Sequence, residues 1–178
     1  MIYRIGIIDD DNTKITQLIT YLRQGWNDEN GRLVKSKYKD IVLEAVELSL
    51  ESNIESMVNK VYDTRIDALI IDYKLSSQQV IAYSGISLAQ EIDKKLKGFP
   101  IFILTSYQDD LYDKESFDVY QVFDFHRYIS DEFERLEINS KIVEQIKKYN
   151  ACLARYKTEI EELLPKAGSN ATVDQRII

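Results

Sequence analysis

Three places in the sequence put oxygen-rich side chains directly after short apolar runs. Asp9, Asp10 and Asp11 follow the run from Tyr3 to Ile8, Asp72 follows Ala68 to Ile71, and Thr105-Ser106 follow Ile101 to Leu104. Carboxylates brought together repel one another and stay ionised only when a cation compensates. Magnesium suits such a set, because it takes oxygen ligands, usually only one or two of them carboxylates, and adds waters and a phosphate. A carboxylate beside it can attack a phosphoryl group and form an aspartyl phosphate, while the metal neutralises charge on the transferred group. A hydroxyl such as that of Thr105 can bond a phosphoryl oxygen. Taken singly, each feature has a plainer explanation, since aspartates cap helices and often end strands. All three in this order point to one shared acidic site.

The elements needed to bring them together are legible. Short apolar runs end at Ile8, Ile71 and Leu104, and a second strand is expected from near Lys39 within Asp40 to Leu50. Between them, Ile15, Leu18, Ile19 and Leu22 recur at helical spacing, with Asp11 or Asn12 as the cap. Ile54, Met57, Val58, Val61 and Tyr62 give a second helix, and Ser84 to Leu96 a third, ended by Gly98 and Pro100. Trp26 to Tyr38 reads as a polar loop. Strands alternating with amphipathic helices imply an α/β fold with parallel pairing by right-handed crossovers. In a doubly wound five-stranded sheet of order 2-1-3-4-5, strands 1, 3 and 4 are neighbours, and ligands bind beyond their carboxyl ends. The pattern weakens from Tyr107 to Asp131, where a fifth strand is expected within Tyr120 to Ile129 and any fourth helix is short.

With 178 residues, 44% of them hydrophobic, the chain can bury a core and suits one domain plus an extension. Its 23 basic and 30 acidic residues give a formal net charge of −7, without the basic footprint of a nucleic-acid binder. The single cysteine, Cys152, excludes an intrachain disulfide, and the single histidine, His126, excludes a His-rich metal site within one chain. No apolar run reaches membrane-spanning length and Met1 is not followed by a signal-peptide core, so a cytoplasmic protein is expected, binding neither membrane nor nucleic acid.

The segments that carry the acidic residues resemble the receiver domain of response regulators. Ile7 to Asp11 looks like the receiver's first strand with its acidic pair, Leu69 to Leu75 like the strand bearing the phosphoacceptor, Ser84 to Leu88 like the glycine-opened helix that follows, and Phe99 to Ser106 like the strand ending in the switch hydroxyl. The resemblance covers about residues 1–135. It implies a flavodoxin-like sheet, Asp72 as phosphoacceptor, and magnesium held by Asp10 directly, by Asp9 in the outer shell, by Asp72 and by the backbone carbonyl of Lys74. Thr105 becomes the switch hydroxyl and Ser106 a candidate phosphate contact. It further implies bacterial two-component signalling, a histidine kinase or other phosphodonor protein as partner, and no enzyme activity beyond the domain's own phosphorylation and dephosphorylation.

Three departures from the family stand out. Receivers carry a phosphoryl-pairing lysine after the fifth strand, whereas Phe125 stands there if the strand ends at Asp124 and Asp131 if it ends at Ser130. His126 or Arg127 is a candidate substitute. The segment from Ser76 to Tyr83 is longer than the usual turn, and the fourth helix is poorly formed. Two alternatives therefore stay open: a pseudo-receiver used only for protein contact, and a magnesium-dependent phosphatase built on the same acidic residues.

Beyond this unit, Ile142, Ile146, Tyr149, Leu153, Tyr156, Ile160 and Leu163 follow one another at alternating steps of four and three, a heptad seam. A helix of about 22 residues spans roughly 33 Å, more than a small domain covers. The expected organisation is a receiver-like domain at 1–137, an amphipathic or coiled-coil helix at 138–164 that pairs with a second copy or with another protein's helix, and a flexible tail at 165–178. No helix-turn-helix or second domain for DNA output is expected.

Overall fold

A computed structural model describes residues 1–75, 81–106 and 122–167. Strands β1 (Ile2–Ile8), β2 (Val42–Glu47), β3 (Ala68–Asp72), β4 (Ile101–Thr105) and β5 (Val122–Asp124) form one sheet. Its order is β2-β1-β3-β4-β5 and every pairing is parallel. This is the doubly wound order expected from the strand-helix alternation. Helices α1 (Asn12–Gln24), α2 (Ile54–Thr64), α3 (Gly85–Lys95), α4 (Phe125–Ser130) and α5 (Glu132–Leu163) cover it.

The central strands β1, β3 and β4 are buried on both faces because their alternate residues feed two cores. On one face Ile5, Ile7, Ala68, Ile70, Phe102 and Leu104 meet Ile15, Leu18 and Leu22 of α1 and Ile142, Val143 and Ile146 of α5. On the other face Ile8, Leu69, Ile71, Ile101 and Ile103 meet α2 and α3. The cap of α1 is Asp11, whose carboxylate accepts from the Thr13 N–H at 2.8 Å. The stretch from Trp26 to Tyr38 is tied down: the two rings stack at 4.5 Å and Trp26 Nε1 donates to the Ile41 carbonyl at 2.8 Å.

The end of the sheet differs from one of the two registers open in the sequence. β5 stops at Asp124, whose side chain caps α4 by accepting from the Arg127 N–H, so Phe125 to Ser130 is helix rather than strand. Asp131 then accepts from the Phe133 and Glu134 N–H groups and starts a 32-residue helix, ahead of both Ile142 and the boundary expected at 138. That early start escaped the apolar spacing because buried polar residues, Arg135, Asn139 and Ser140, interrupt the stripe. A 3-10 turn at Leu164–Lys166 follows α5. The fourth-helix region from 107 to 121, most of the Ser76 to Tyr83 insertion and most of the tail lie outside the described residues.

Candidate functional site: an acidic pocket at the carboxyl ends of three strands

β1 and β3 run in register through Ile8 and Ile71, and Asp72 lies opposite Leu104 of β4. The carboxyl ends of these strands therefore lie side by side, which brings Asp9, Asp10 and Asp72 together, with Thr105 ending the neighbouring strand β4. Asp9, Asp10 and Asp72 are 6%, 6% and 4% exposed, and each offers a carboxylate oxygen within 4.8 Å of the others. Thr105 is fully buried at the end of β4, and Ser106 beside it is half-buried.

Backbone geometry fixes the carboxylates. Asp9 Oδ1 accepts from the Asp11 N–H at 2.8 Å, and Asp72 Oδ2 from the Lys74 N–H at 2.9 Å. Gly85, at the opening of α3, belongs to the same construction. A Cβ there would lie 2.1 Å from the Asp72 carbonyl oxygen, so only glycine lets α3 start against the end of β3.

The electrostatics centre on Asp9. Burial, reinforced by the charge of Asp72, pushes its carboxyl up to about 7, against the pull of the Asp11 N–H and of Lys14. Its Oδ2 is buried with no hydrogen-bond partner. A buried carboxylate oxygen left unsatisfied in an all-oxygen cluster is what a hard divalent cation would satisfy. The donor set fits magnesium on that ground.

Lys14 is the site residue that sequence reasoning missed. Its Nζ donates to Asp72 Oδ1 at 2.9 Å, and the side chain is 21% exposed. Burial works against its ammonium, but the hydrogen bond and charge of Asp72, with Asp9 and Asp11, outweigh it and raise its pKa. A signal existed: Lys14 sits in the first turn of α1, where the helix dipole disfavours a cation, directly behind three aspartates that compensate. The suggested substitutes are elsewhere. Arg127 pairs with Glu134 at 3.0 Å, and His126 is exposed against the edge of the Phe125 ring. Phe125 itself, 4% exposed, lies under Lys14, with the ammonium 5.6 Å from the ring centroid.

The heptad seam divides. Ile142 and Ile146 are fully buried in the domain's own core, which corrects their assignment to a partner surface. Tyr149 is half-buried and meets Phe99 edge-on at 5.6 Å. Leu153, Tyr156 and Ile160 are 46%, 51% and 38% exposed, while Leu163 is buried. No helix among the described residues is long and apolar enough to cross a membrane.

No protein-family model and no curated protein matches the sequence. Solved structures do match the fold. The chain aligns over 87% of its length with 51% of the anti-anti-sigma factor PhyR from Bartonella quintana, at 10% identity and a TM-score of 0.51. It thus spans about half the length of that protein. A two-component transcriptional regulator AraC from Clostridium phytofermentans matches over 84% of this chain and 98% of its own, at 13% identity and a TM-score of 0.52. The response regulator TrrA from Thermotoga maritima, solved with Mg(2+)-BeF, matches over 80% and 98%, at 22% identity and a TM-score of 0.48. With its parallel sheet in the order β2-β1-β3-β4-β5 between two layers of helices, the chain has a flavodoxin-like, receiver-like fold, shared with the PhyR and AraC structures.

Proposed function

We propose that this chain is a receiver-like signalling unit, phosphorylated on Asp72 and acting through protein contact. The observation that carries the proposal is the convergence of Asp9, Asp10 and Asp72 in one buried cluster, with Asp9 Oδ2 unsatisfied. In this proposal the carboxylates of Asp9, Asp10 and Asp72 and the backbone carbonyl of Lys74 hold magnesium. The ion supplies positive charge that offsets the carboxylates and the incoming phosphoryl group. Asp72 is the nucleophile: one of its oxygens forms a bond to phosphorus while the donor's P–N or P–O bond breaks, its electron pair leaving with the donor. The Lys74 N–H orients the carboxylate, Thr105 offers its hydroxyl to a phosphoryl oxygen, and Ser106 stands beside it. A histidine kinase or a small acyl phosphate has the donor chemistry required.

The distal half of α5, through Leu153, Tyr156 and Ile160, is proposed as the association surface, with a second copy of the chain ahead of a different helical partner. The phosphoryl-independent alternative draws its support from Phe125, which follows β5 where receivers carry a lysine. Incubation with acetyl phosphate and magnesium, read by intact mass, separates the two. A single added phosphoryl group that is absent in Asp72→Ala and retained in Asp11→Ala supports phosphotransfer. No adduct on the wild type, with magnesium binding demonstrated, leaves the interaction module.

A further inference from the structure

The cation needed opposite a phosphoryl group on Asp72 is supplied from an unexpected direction. We propose that Lys14, carried on the first turn of α1 and backed by Phe125, is the residue that pairs with the phosphoryl group on Asp72. The proposal rests on Asp72 being the phosphoacceptor and deepens that assignment.

Three observations converge on it. Lys14 Nζ already donates to Asp72 Oδ1 at 2.9 Å, so its ammonium lies beside an oxygen of the nucleophilic carboxylate. A phosphoryl group bonded to that carboxylate places anionic oxygens just beyond it, within reach of a flexible four-carbon stem with three rotatable donors. The side chain is mostly withdrawn from water, which strengthens a charge-assisted bond to an anion.

Phe125 makes the arrangement specific. It follows β5 directly, is buried, and turns its ring to the ammonium at 5.6 Å. The ring's negative face holds a cation without neutralising it, so Lys14 is steered toward Asp72 and still carries full charge for a phosphoryl oxygen. The basic side chains nearest in sequence to the end of β5 are placed otherwise, since Arg127 is engaged by Glu134 and His126 faces solvent. The end of β5 thus contributes an aromatic platform, and the charge comes from α1.

The balance of the step is unchanged by this assignment. The Asp72 oxygen forms the new bond to phosphorus, the bond to the acyl-phosphate or phosphohistidine donor breaks, and the leaving group takes the electron pair. Lys14 keeps its protons and exchanges one hydrogen-bond acceptor, a carboxylate oxygen, for another, a phosphoryl oxygen.

The test compares wild type, Lys14→Gln and Lys14→Arg with acetyl phosphate and magnesium by intact mass, and with trifluoroberyllate by equilibrium titration. Glutamine keeps a donor for Asp72 and removes the charge. The expected result is labelling slower by at least about tenfold in Lys14→Gln, with a matching loss of trifluoroberyllate affinity and partial recovery in Lys14→Arg. Labelling and affinity in Lys14→Gln equal to wild type overturn the role of Lys14 and leave Asp72 as phosphoacceptor. No label and no adduct on the wild type overturn both. Should Lys14→Gln fail to fold, a crystal structure of the wild-type trifluoroberyllate complex decides. Lys14 Nζ within about 3.2 Å of a fluorine supports the assignment, and Nζ turned to solvent overturns it.

Discussion

Lys14 and Asp72 are 58 residues apart in sequence and 2.9 Å apart in space, so the central carboxylate of the pocket has a protein-borne counter-ion. Removing that cation leaves buried carboxylates less compensated. In metal-free buffer Lys14→Met should lower stability by about 2 kcal/mol, less than the loss from a fully buried pair because the lysine is partly exposed. Magnesium should then stabilise the variant more than the wild type, by mass action on a site that has lost a competing charge. Urea denaturation with and without magnesium checks this. Equal stabilisation of both proteins would mean that the lysine and the metal do not share the pocket.

Magnesium should raise the melting temperature of the wild type, and Asp10→Ala should abolish the rise. Asp10 is 6% exposed and contributes to the three-carboxylate cluster. Thermal unfolding at fixed ionic strength, with potassium as the control cation, separates binding from screening. An unchanged rise in the variant would remove the shared site.

Asp9 sets the sign of a pH dependence. Its carboxyl is pushed up to about 7 in the folded chain by burial and by Asp72, above its ordinary value of 3.8. Between these values the folded protein holds a proton that the unfolded chain releases. The contribution of Asp9 therefore favours folding at the acidic end and is lost as pH rises toward about 7. In chelator, Asp9→Asn should flatten the pH profile of stability in that window and gain on the wild type as pH rises. Parallel profiles for the two proteins would show that Asp9 ionises as an ordinary carboxylate.

Gly85→Ala tests how the end of β3 is shaped. The added methyl would sit 2.1 Å from the Asp72 carbonyl oxygen, so α3 must shift. A loss of about 2 kcal/mol or more is expected, the scale of overpacking a tight site, together with weaker magnesium binding because the shift moves Asp72. Calorimetry of metal binding on the folded variant checks the second effect.

The pocket was legible where chemistry follows strand ends, because a parallel sheet aligns the carboxyl ends of β1, β3 and β4 whatever the intervening lengths. Asp9, Asp10, Asp72 and Thr105 are read that way. Lys14 was not, because it lies on a helix and its direction depends on how α1 seats on the sheet through Ile15 and Leu18. The fifth strand was ambiguous for a related reason. Phe123, Phe125 and Tyr128 are all buried and keep strand-like hydrophobicity going past Asp124, while the cap that ends it is a side-chain contact. The start of α5 is hidden by Arg135 and Asn139. Their burial depends on partners brought by the fold: Tyr128 donates its hydroxyl to Asn139 Oδ1 at 3.0 Å, and Arg135 lies over the Tyr21 ring at 4.4 Å.

The last prediction concerns association through α5. Spacing alone could not divide the seam, but burial does. Ile142 and Ile146 belong to the domain core, whereas Leu153, Tyr156 and Ile160 line up with large exposed areas. Burying a large apolar side chain fully yields about 1.5–3 kcal/mol, and these three are partly covered already, so they support a weak to moderate contact. Charge along the helix favours one orientation. Lys147, Lys148, Arg155 and Lys157 precede Glu159, Glu161 and Glu162, so two copies side by side in parallel align like charges, and an antiparallel pair sets the basic stretch against the acidic one. A homodimer built this way should weaken with salt. Replacing Leu153, Tyr156 and Ile160 together by serine should abolish it in sedimentation equilibrium while leaving the melting temperature of the domain nearly unchanged. Truncation before Tyr149 is the less clean experiment, because it also removes the ring that packs on Phe99. A wild-type chain that stays monomeric at high concentration, and matches the triple variant throughout, would exclude the homodimer and leave a partner of different sequence as the remaining cover for this face.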